Sequence, residues 1–288
     1  MRRRDFLATT AAAAAAQTLT AQTPAPARKG RLKQGTMAVN FDPKLPFEDR
    51  CKEMARIGFK GMDMAGVNDW PTLKKYGLMC TMGGTGGVGF PDGLIRKNLH
   101  DALVKSVSDN IDQCAANGVP NMISVGGQRK GMSDEEGIDN IVTFFNRVKA
   151  KAEDKGVTIC LEVMNNKFDD AALGRTDQIC NHVAFAAEIM KRVNSPRVKM
   201  LFDIYHVAIM DGDIVHNIRD NIQYIGHFHT GGVPGRHELD ETQEINYRFV
   251  AQAIADLGFT GYISHEFRPT PGRDPIKSLE QAFAIMDV

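Results

Sequence analysis

From Lys33 onward, short apolar or β-branched runs alternate with longer amphipathic stretches, each pair separated by a turn. Continuous apolar runs mark strands buried on both faces, whereas apolar residues recurring three and four apart mark one face of a helix. Strand-like runs fall at 35–40, 61–64, 77–82, 121–126, 157–163, 198–203, 224–229 and 261–266. Helical patterns fall at 46–58, 98–117, 134–155, 176–193, 244–257 and 274–286. Several end at a glycine placed just past the last turn, as in Ile57-Gly58, Asn117-Gly118, Lys155-Gly156 and Leu257-Gly258. Eight β/α units in about 250 residues without an internal linker predict an α/β chain folded as one (β/α)8 TIM barrel domain over residues 33–288. A doubly wound sheet is the second choice.

The first 27 residues break this pattern. Arg2-Arg3-Arg4-Asp5-Phe6-Leu7, an alanine-rich stretch ending at Ala16, and small residues at Ala21 and Ala27 give a basic start, a weakly apolar centre and two cleavage candidates. Arg3-Arg4 followed by Asp5, Phe6 and Leu7 resembles the twin-arginine consensus, so residues 1–27 are expected to be an export signal and linker, with a periplasmic destination and the twin-arginine machinery as a partner. Removing residues 1–21 takes away three arginines and one aspartate and leaves the mature chain at about −2.

Composition narrows the class. With 43% hydrophobic residues and 35 basic against 35 acidic side chains, the chain can fill a large core and carries no excess charge for a nucleic-acid backbone. No apolar run reaches the ~18 residues of a bilayer span. The five cysteines, Cys51, Cys80, Cys114, Cys160 and Cys180, form no C-x-x-C pair and read as small buried hydrophobes. A homo-oligomer is left open.

Chemistry enters where strands end. Barrel interiors are apolar, and active sites lie at the C-terminal ends of the strands. Four consecutive runs finish on a polar group: Glu162, Asp203, His229 and Glu266. Converging on one mouth, three carboxylates and an imidazole form a hard, oxygen-rich set suited to a divalent metal ion such as Mn²⁺, Mg²⁺ or Co²⁺. Without a cation, the like charges would raise one another's pKa. His227 shares the orientation of His229 but lies deeper, as a hydrogen-bonded core histidine, and His265 points away from Glu266. Met62 and Met64 read as core fillers. Gly84-Thr85-Gly86-Gly87-Val88-Gly89 matches G-x-G-x-x-G, but Pro91 and Asp92-Gly93 follow where a dinucleotide-binding helix should start, so this segment is expected to be a loop over the mouth.

These residues carry a resemblance. Leu161-Glu162, Phe202-Asp203-Ile204-Tyr205-His206, Pro234-Gly235-Arg236-His237-Glu238, Glu244-Ile245-Asn246-Tyr247 and Gly261-Tyr262-Ile263-Ser264-His265-Glu266-Phe267 resemble the hydroxypyruvate isomerase family, within the xylose-isomerase-like barrels, over residues 33 to 287. The resemblance implies that Glu162 and Glu266 move the proton and also bind the metal, which Asp203 and His229 complete. It also implies that His206, on a short turn after the strand, Arg236 and its neighbour His237 bind substrate. In hydroxypyruvate isomerases the position of His229 is usually Gln, whereas epimerases of the same superfamily carry His there.

The implied chemistry is proton transfer through a cis-enediolate of a small hydroxy-carbonyl compound or sugar. Returning the proton to the neighbouring carbon makes an isomerase. Returning it to the opposite face makes a ketose 3-epimerase, and expelling a β-substituent makes a lyase or dehydratase. A sugar-binding barrel without catalysis is the rival from another class, and it would not need a carboxylate on each side of the substrate.

Overall fold

Each of the eight expected runs becomes one strand. The computed structural model describes residues 28–167, 169–170 and 174–288. The strands are β1 (Lys33–Met37), β2 (Gly61–Asp63), β3 (Met79–Met82), β4 (Asn121–Ser124), β5 (Thr158–Glu162), β6 (Val198–Asp203), β7 (Ile225–Thr230) and β8 (Tyr262–His265). They pair in parallel in the order β3-β2-β1-β8-β7-β6-β5-β4. A parallel bridge between Gly83 and Met122 joins the two ends, Gly83 N donating to Asn121 O at 2.7 Å and Ile123 N to Gly83 O at 3.1 Å. The strand order therefore runs around a barrel, which excludes the doubly wound sheet. The expected export signal lies outside the described residues.

The barrel is filled by inward side chains. Met82, Ile123, Cys160 and Leu201 pack together inside it, each nearly or fully buried. At Gly35 the strands approach closely: a Cβ there would lie 2.5 Å from Ser264 Oγ, which would have to move aside. Outside the sheet, the helices α1 (Phe47–Ile57), α2 (Trp70–Lys75), α3 (His100–Asn117), α4 (Asp134–Lys155), α5 (Val183–Val193), α6 (Ile204–Met210), α7 (Ile214–Asn221), α8 (Tyr247–Asp256) and α9 (Pro275–Met286) bury their apolar faces in one continuous core. Local chemistry sets their ends. Ser133 Oγ accepts from Glu136 N at the start of α4, and Asp274 Oδ1 from Ile276 N at the start of α9. Gly58, Gly118 and Gly156 take left-handed φ values at the ends of α1, α3 and α4.

Three expectations are corrected. The helical pattern from 176 begins only at Val183, because 176–182 is tied to neighbouring loops: Gln178 bridges to Gln128, Ile179 N donates to Gly127 O and Met164 N to Cys180 O. His206 stands on the first turn of α6 rather than on a plain turn. Met62 is buried as expected, but Met64 has φ +56° and is 43% exposed, so it faces the mouth instead of the core. All five cysteines are buried and unpaired, as expected. Among the described residues no helix is long and apolar enough to cross a membrane.

Candidate active site at the barrel mouth

At the C-terminal ends of the strands a cavity of about 630 Å³ opens. Glu162, His206, His229, Arg236 and Glu266 line its floor. Met37, Met64, Val88, Phe90, Ile123, Val125 and Met164 give it an apolar wall, and Arg268 completes the lining near Gly235. The glycine-rich loop after β3 contributes Thr85, Val88, Gly89 and Phe90 to that wall and leads into no helix that could hold a dinucleotide.

The four strand-end groups converge. Glu162 ends β5, Asp203 ends β6, His229 is the penultimate residue of β7, and Glu266 follows β8. One ligand atom from each lies within 4.8 Å of all the others. Asp203 has two tasks. Its Oδ1 caps α6 by accepting from Tyr205 N at 2.8 Å and His206 N at 3.4 Å, while its Oδ2 faces Arg236 and, at 3.5 Å, His206 Nε2. Arg236 Nη2 also approaches Glu266 Oε2 at 2.8 Å, so a guanidinium sits between two of the carboxylates.

This electrostatic arrangement separates the acids. Burial raises the Asp203 pKa, and the Arg236 charge only partly offsets it. Glu266 would also be raised by burial, but the charges of Arg236 and His229 outweigh that and hold it at about 2. Against the opposing effect of burial, Glu266 and Asp63 raise the pKa of His229 well above the usual imidazole value.

The residues present fit a cation. His229 Nδ1 lies 2.7 Å from Glu266 Oε2 and 3.7 Å from Glu162 Oε1, yet neither Nδ1 nor Glu266 Oε2 has an aligned hydrogen bond. Both atoms are buried and face the same space, where a cation would satisfy them in place of a hydrogen bond. Carboxylate oxygens with one imidazole nitrogen form a donor set for Mn²⁺, Mg²⁺, Co²⁺ or Zn²⁺ without selecting among them.

His206 is oriented by a residue that sequence reading missed. Asn165 Oδ1 accepts from Lys167 N at 3.0 Å, so its amide NH₂ faces His206 Nδ1 at 2.6 Å. Nδ1 is therefore the acceptor, and Nε2 carries the hydrogen. Burial, aided by Arg236, pushes the His206 pKa down to about 3, which keeps the ring neutral. Its Nε2–H is buried and unpartnered, a donor at the cavity floor. His237 is placed differently from the other expected substrate residues. Its Nδ1 meets Arg268 O at 2.7 Å, and its side chain is absent from the cavity lining.

Two further charged groups were not anticipated. Asp63, at the end of β2, is fully buried and accepts hydrogen bonds from Nε2 of His227 at 2.8 Å and of His229 at 3.0 Å. Its signal in the sequence was the same as that of the other acids, a carboxylate closing an apolar run. Arg268 borders the cavity, and its guanidinium has no carboxylate partner among the described residues. His227 is the buried, hydrogen-bonded core histidine expected. His265 lies away from the cluster, bonded to Thr230 Oγ1 at 2.8 Å and Gln34 Oε1 at 3.1 Å.

A closed parallel barrel with an acidic and imidazole cluster at its C-terminal mouth defines a class of protein. Within it, this chain belongs to the xylose isomerase-like TIM barrel family, whose profile matches residues 51–287. A Danio rerio relative provisionally named a hydroxypyruvate isomerase is 43% identical over 130 residues, 44% of this chain and 45% of that protein. The chain thus spans under half the length of that relative in the match. The 2-oxo-tetronate isomerase of Pectobacterium atrosepticum is 24% identical over 239 residues, covering 78% of this chain and 87% of the other. Among solved structures, the family 2 AP endonuclease from Brucella melitensis superposes with a TM-score of 0.75 at 22% identity, covering 86% of this chain and 97% of that one, a likeness of fold.

Proposed function

We propose that this protein is a divalent-cation-dependent isomerase of small hydroxy-carbonyl acids, working by proton transfer through a cis-enediolate between Glu162 and Glu266. The observation that carries the reading is the convergence of two glutamates, from strand ends three apart around the barrel, with Asp203 and His229, all four offering ligand atoms within 4.8 Å of one another. A cation held by Glu162, Asp203, His229 and Glu266 would polarise the substrate carbonyl and stabilise the charge of the enediolate. Glu266, held ionised by Arg236 and His229, is suited to take the proton α to the carbonyl. Glu162, on the other side of the cluster, would return to the neighbouring carbon a proton taken up from solvent, and the proton accepted by Glu266 would be released to solvent before the next turnover. His206 donates Nε2–H to a substrate oxygen. The apolar wall of Met64, Val88, Phe90 and Met164 keeps bulk water from the enediolate.

The charge at the rim supports an acid as substrate. Among the described residues the Arg268 guanidinium has no carboxylate partner, and the relatives carry the names of isomerases acting on 2-oxo acids. A cavity of about 630 Å³ leaves room for an acid larger than three carbons. An epimerase of neutral keto sugars is the second reading, favoured by the imidazole of His229 where hydroxypyruvate isomerases usually carry Gln. A panel of 2-oxo acids and neutral ketoses, assayed after chelation and again after Mn²⁺ is restored, separates the two. Cation-restored turnover of acids, with KM raised roughly tenfold in Arg268→Gln, is expected from a lost charge-assisted contact. Turnover confined to neutral ketoses favours the epimerase, and activity that survives complete cation removal overturns the proposal. The proposal includes export: residues 1–21 or 1–27 are removed on passage to the periplasm by the twin-arginine route, which N-terminal sequencing of the exported chain tests.

A further inference from the structure

Asp63 stands out because its burial is complete and, among the described residues, no Arg or Lys pairs with it. A carboxylate in that position is tolerated only where donors surround it. Three do. The Thr81 hydroxyl donates to Oδ1, and the Nε2–H groups of His227 and His229 both donate to Oδ2, at 2.8 Å and 3.0 Å. The two rings meet edge to face, with centroids 5.3 Å apart. The arrangement joins three strands across the barrel interior, with Asp63 from β2, Thr81 from β3 and both histidines from β7.

We infer that Asp63 is the positioning residue for His229. Because Nε2 is committed to Asp63, the nitrogen left to face Glu162, Asp203 and Glu266 is Nδ1, and the ring cannot turn without leaving a buried carboxylate short of a donor. Asp63 therefore fixes both the orientation of the ring and the nitrogen it presents to the cluster. His227 and Thr81 hold Asp63 in turn, so the support runs from the barrel interior up to the mouth. The inference rests on reading the four-residue cluster as a cation site. A carboxylate behind a ligating imidazole also strengthens it as a donor, and loss of such a partner typically weakens metal binding about 10- to 100-fold.

The test measures cation binding by calorimetry in the full-length wild type and in Asp63→Asn, alongside ¹⁵N-histidine NMR of the Zn²⁺-loaded proteins. Wild type is expected to bind one ion per chain and to show one ring with Nδ1 coordinated and Nε2 protonated. In Asp63→Asn the affinity for Mn²⁺ and Zn²⁺ should fall about 10- to 100-fold and that ring signal should shift, while Asp63→Glu recovers part of the loss. If Asp63→Asn does not fold, Thr81→Val removes only the hydroxyl behind Asp63 and should weaken binding severalfold. Affinity within twofold of wild type in a folded Asp63→Asn or Thr81→Val protein overturns the positioning role. Two ions per wild-type chain would also overturn it, by placing one between Asp63, His227 and His229. A wild type that binds neither ion refutes the cation reading itself, and the inference falls with it.

Discussion

The guanidinium of Arg236 lies between the carboxylates of Asp203 and Glu266, with Nη2 2.8 Å from Glu266 Oε2. It supplies positive charge to a cluster of acids that would otherwise repel one another. Arg236 also has a left-handed backbone, φ +58°, directly after Gly235 at φ +84°, which turns its side chain back over the mouth. Its position would make it a competitor of a cation at the cluster.

Replacing Arg236 with Met should therefore separate two properties. Removing a fixed positive charge from within hydrogen-bonding distance of two proposed ligands should tighten Mn²⁺ binding by roughly tenfold, about 1.4 kcal/mol. Turnover should fall because the substrate loses a partner. Calorimetric titration and steady-state kinetics check the pair of outcomes. Weaker Mn²⁺ binding in the variant would show that Arg236 supports the site rather than competing for it.

The Asn165–His206 contact predicts a change in pH dependence. With Asn165 donating to Nδ1, the buried His206 stays neutral down to a pKa of about 3. Asn165→Asp replaces a donor with an acceptor, which favours a proton on Nδ1 and raises the His206 pKa. A new ionisation should enter the kcat/KM profile on the acid side of neutrality, with activity at pH 7 reduced about 10- to 100-fold. Asn165→Leu should lower activity without adding that ionisation. Identical profiles in all three proteins would remove the tautomer assignment from the mechanism.

His265 makes a prediction about stability. Burial depresses its pKa to about 3, below the ordinary 6.5, so between those values the unfolded chain holds a proton that the folded chain does not. Stability is then fully present above pH 6.5 and is lost as the pH falls toward 3. Between pH 7.5 and pH 5 the share from His265 is about 2 kcal/mol. Urea unfolding of the metal-free protein at both pH values should show a smaller loss in His265→Gln, whose side chain can still bond Thr230 or Gln34. An equal loss in the two proteins would mean that His265 titrates alike in both states.

How far the sequence could be read depended on the kind of signal. The eight strands were legible because a buried parallel strand is a continuous apolar run, and Glu162, Asp203, His229 and Glu266 were legible because each closes such a run. Asp63 obeys the same rule, but its strand is only Gly61–Asp63, and the methionines on either side hid the ending. Asn165 and Arg268 lie past strand ends, where only three-dimensional neighbours give a polar residue its meaning. Helices α6 and α7 have seven and eight residues, too few turns to establish a periodicity. The misread stretch 176–182 has polar and apolar residues at helical spacing, yet its backbone groups bond to Gly127 and Met164 instead.

The proposed proton transfer is tested most directly by solvent exchange. The Mn²⁺-loaded wild type is incubated in D₂O with a 2-oxo acid carrying an adjacent hydroxyl, and deuterium at the carbon next to the carbonyl is followed by NMR. Wild type should incorporate deuterium alongside isomerisation, and Glu162→Gln and Glu266→Gln should each slow both by about 10³-fold or more while remaining folded. Full turnover in either glutamine variant, or deuterium exchange unchanged from wild type in both, would contradict the two-glutamate mechanism.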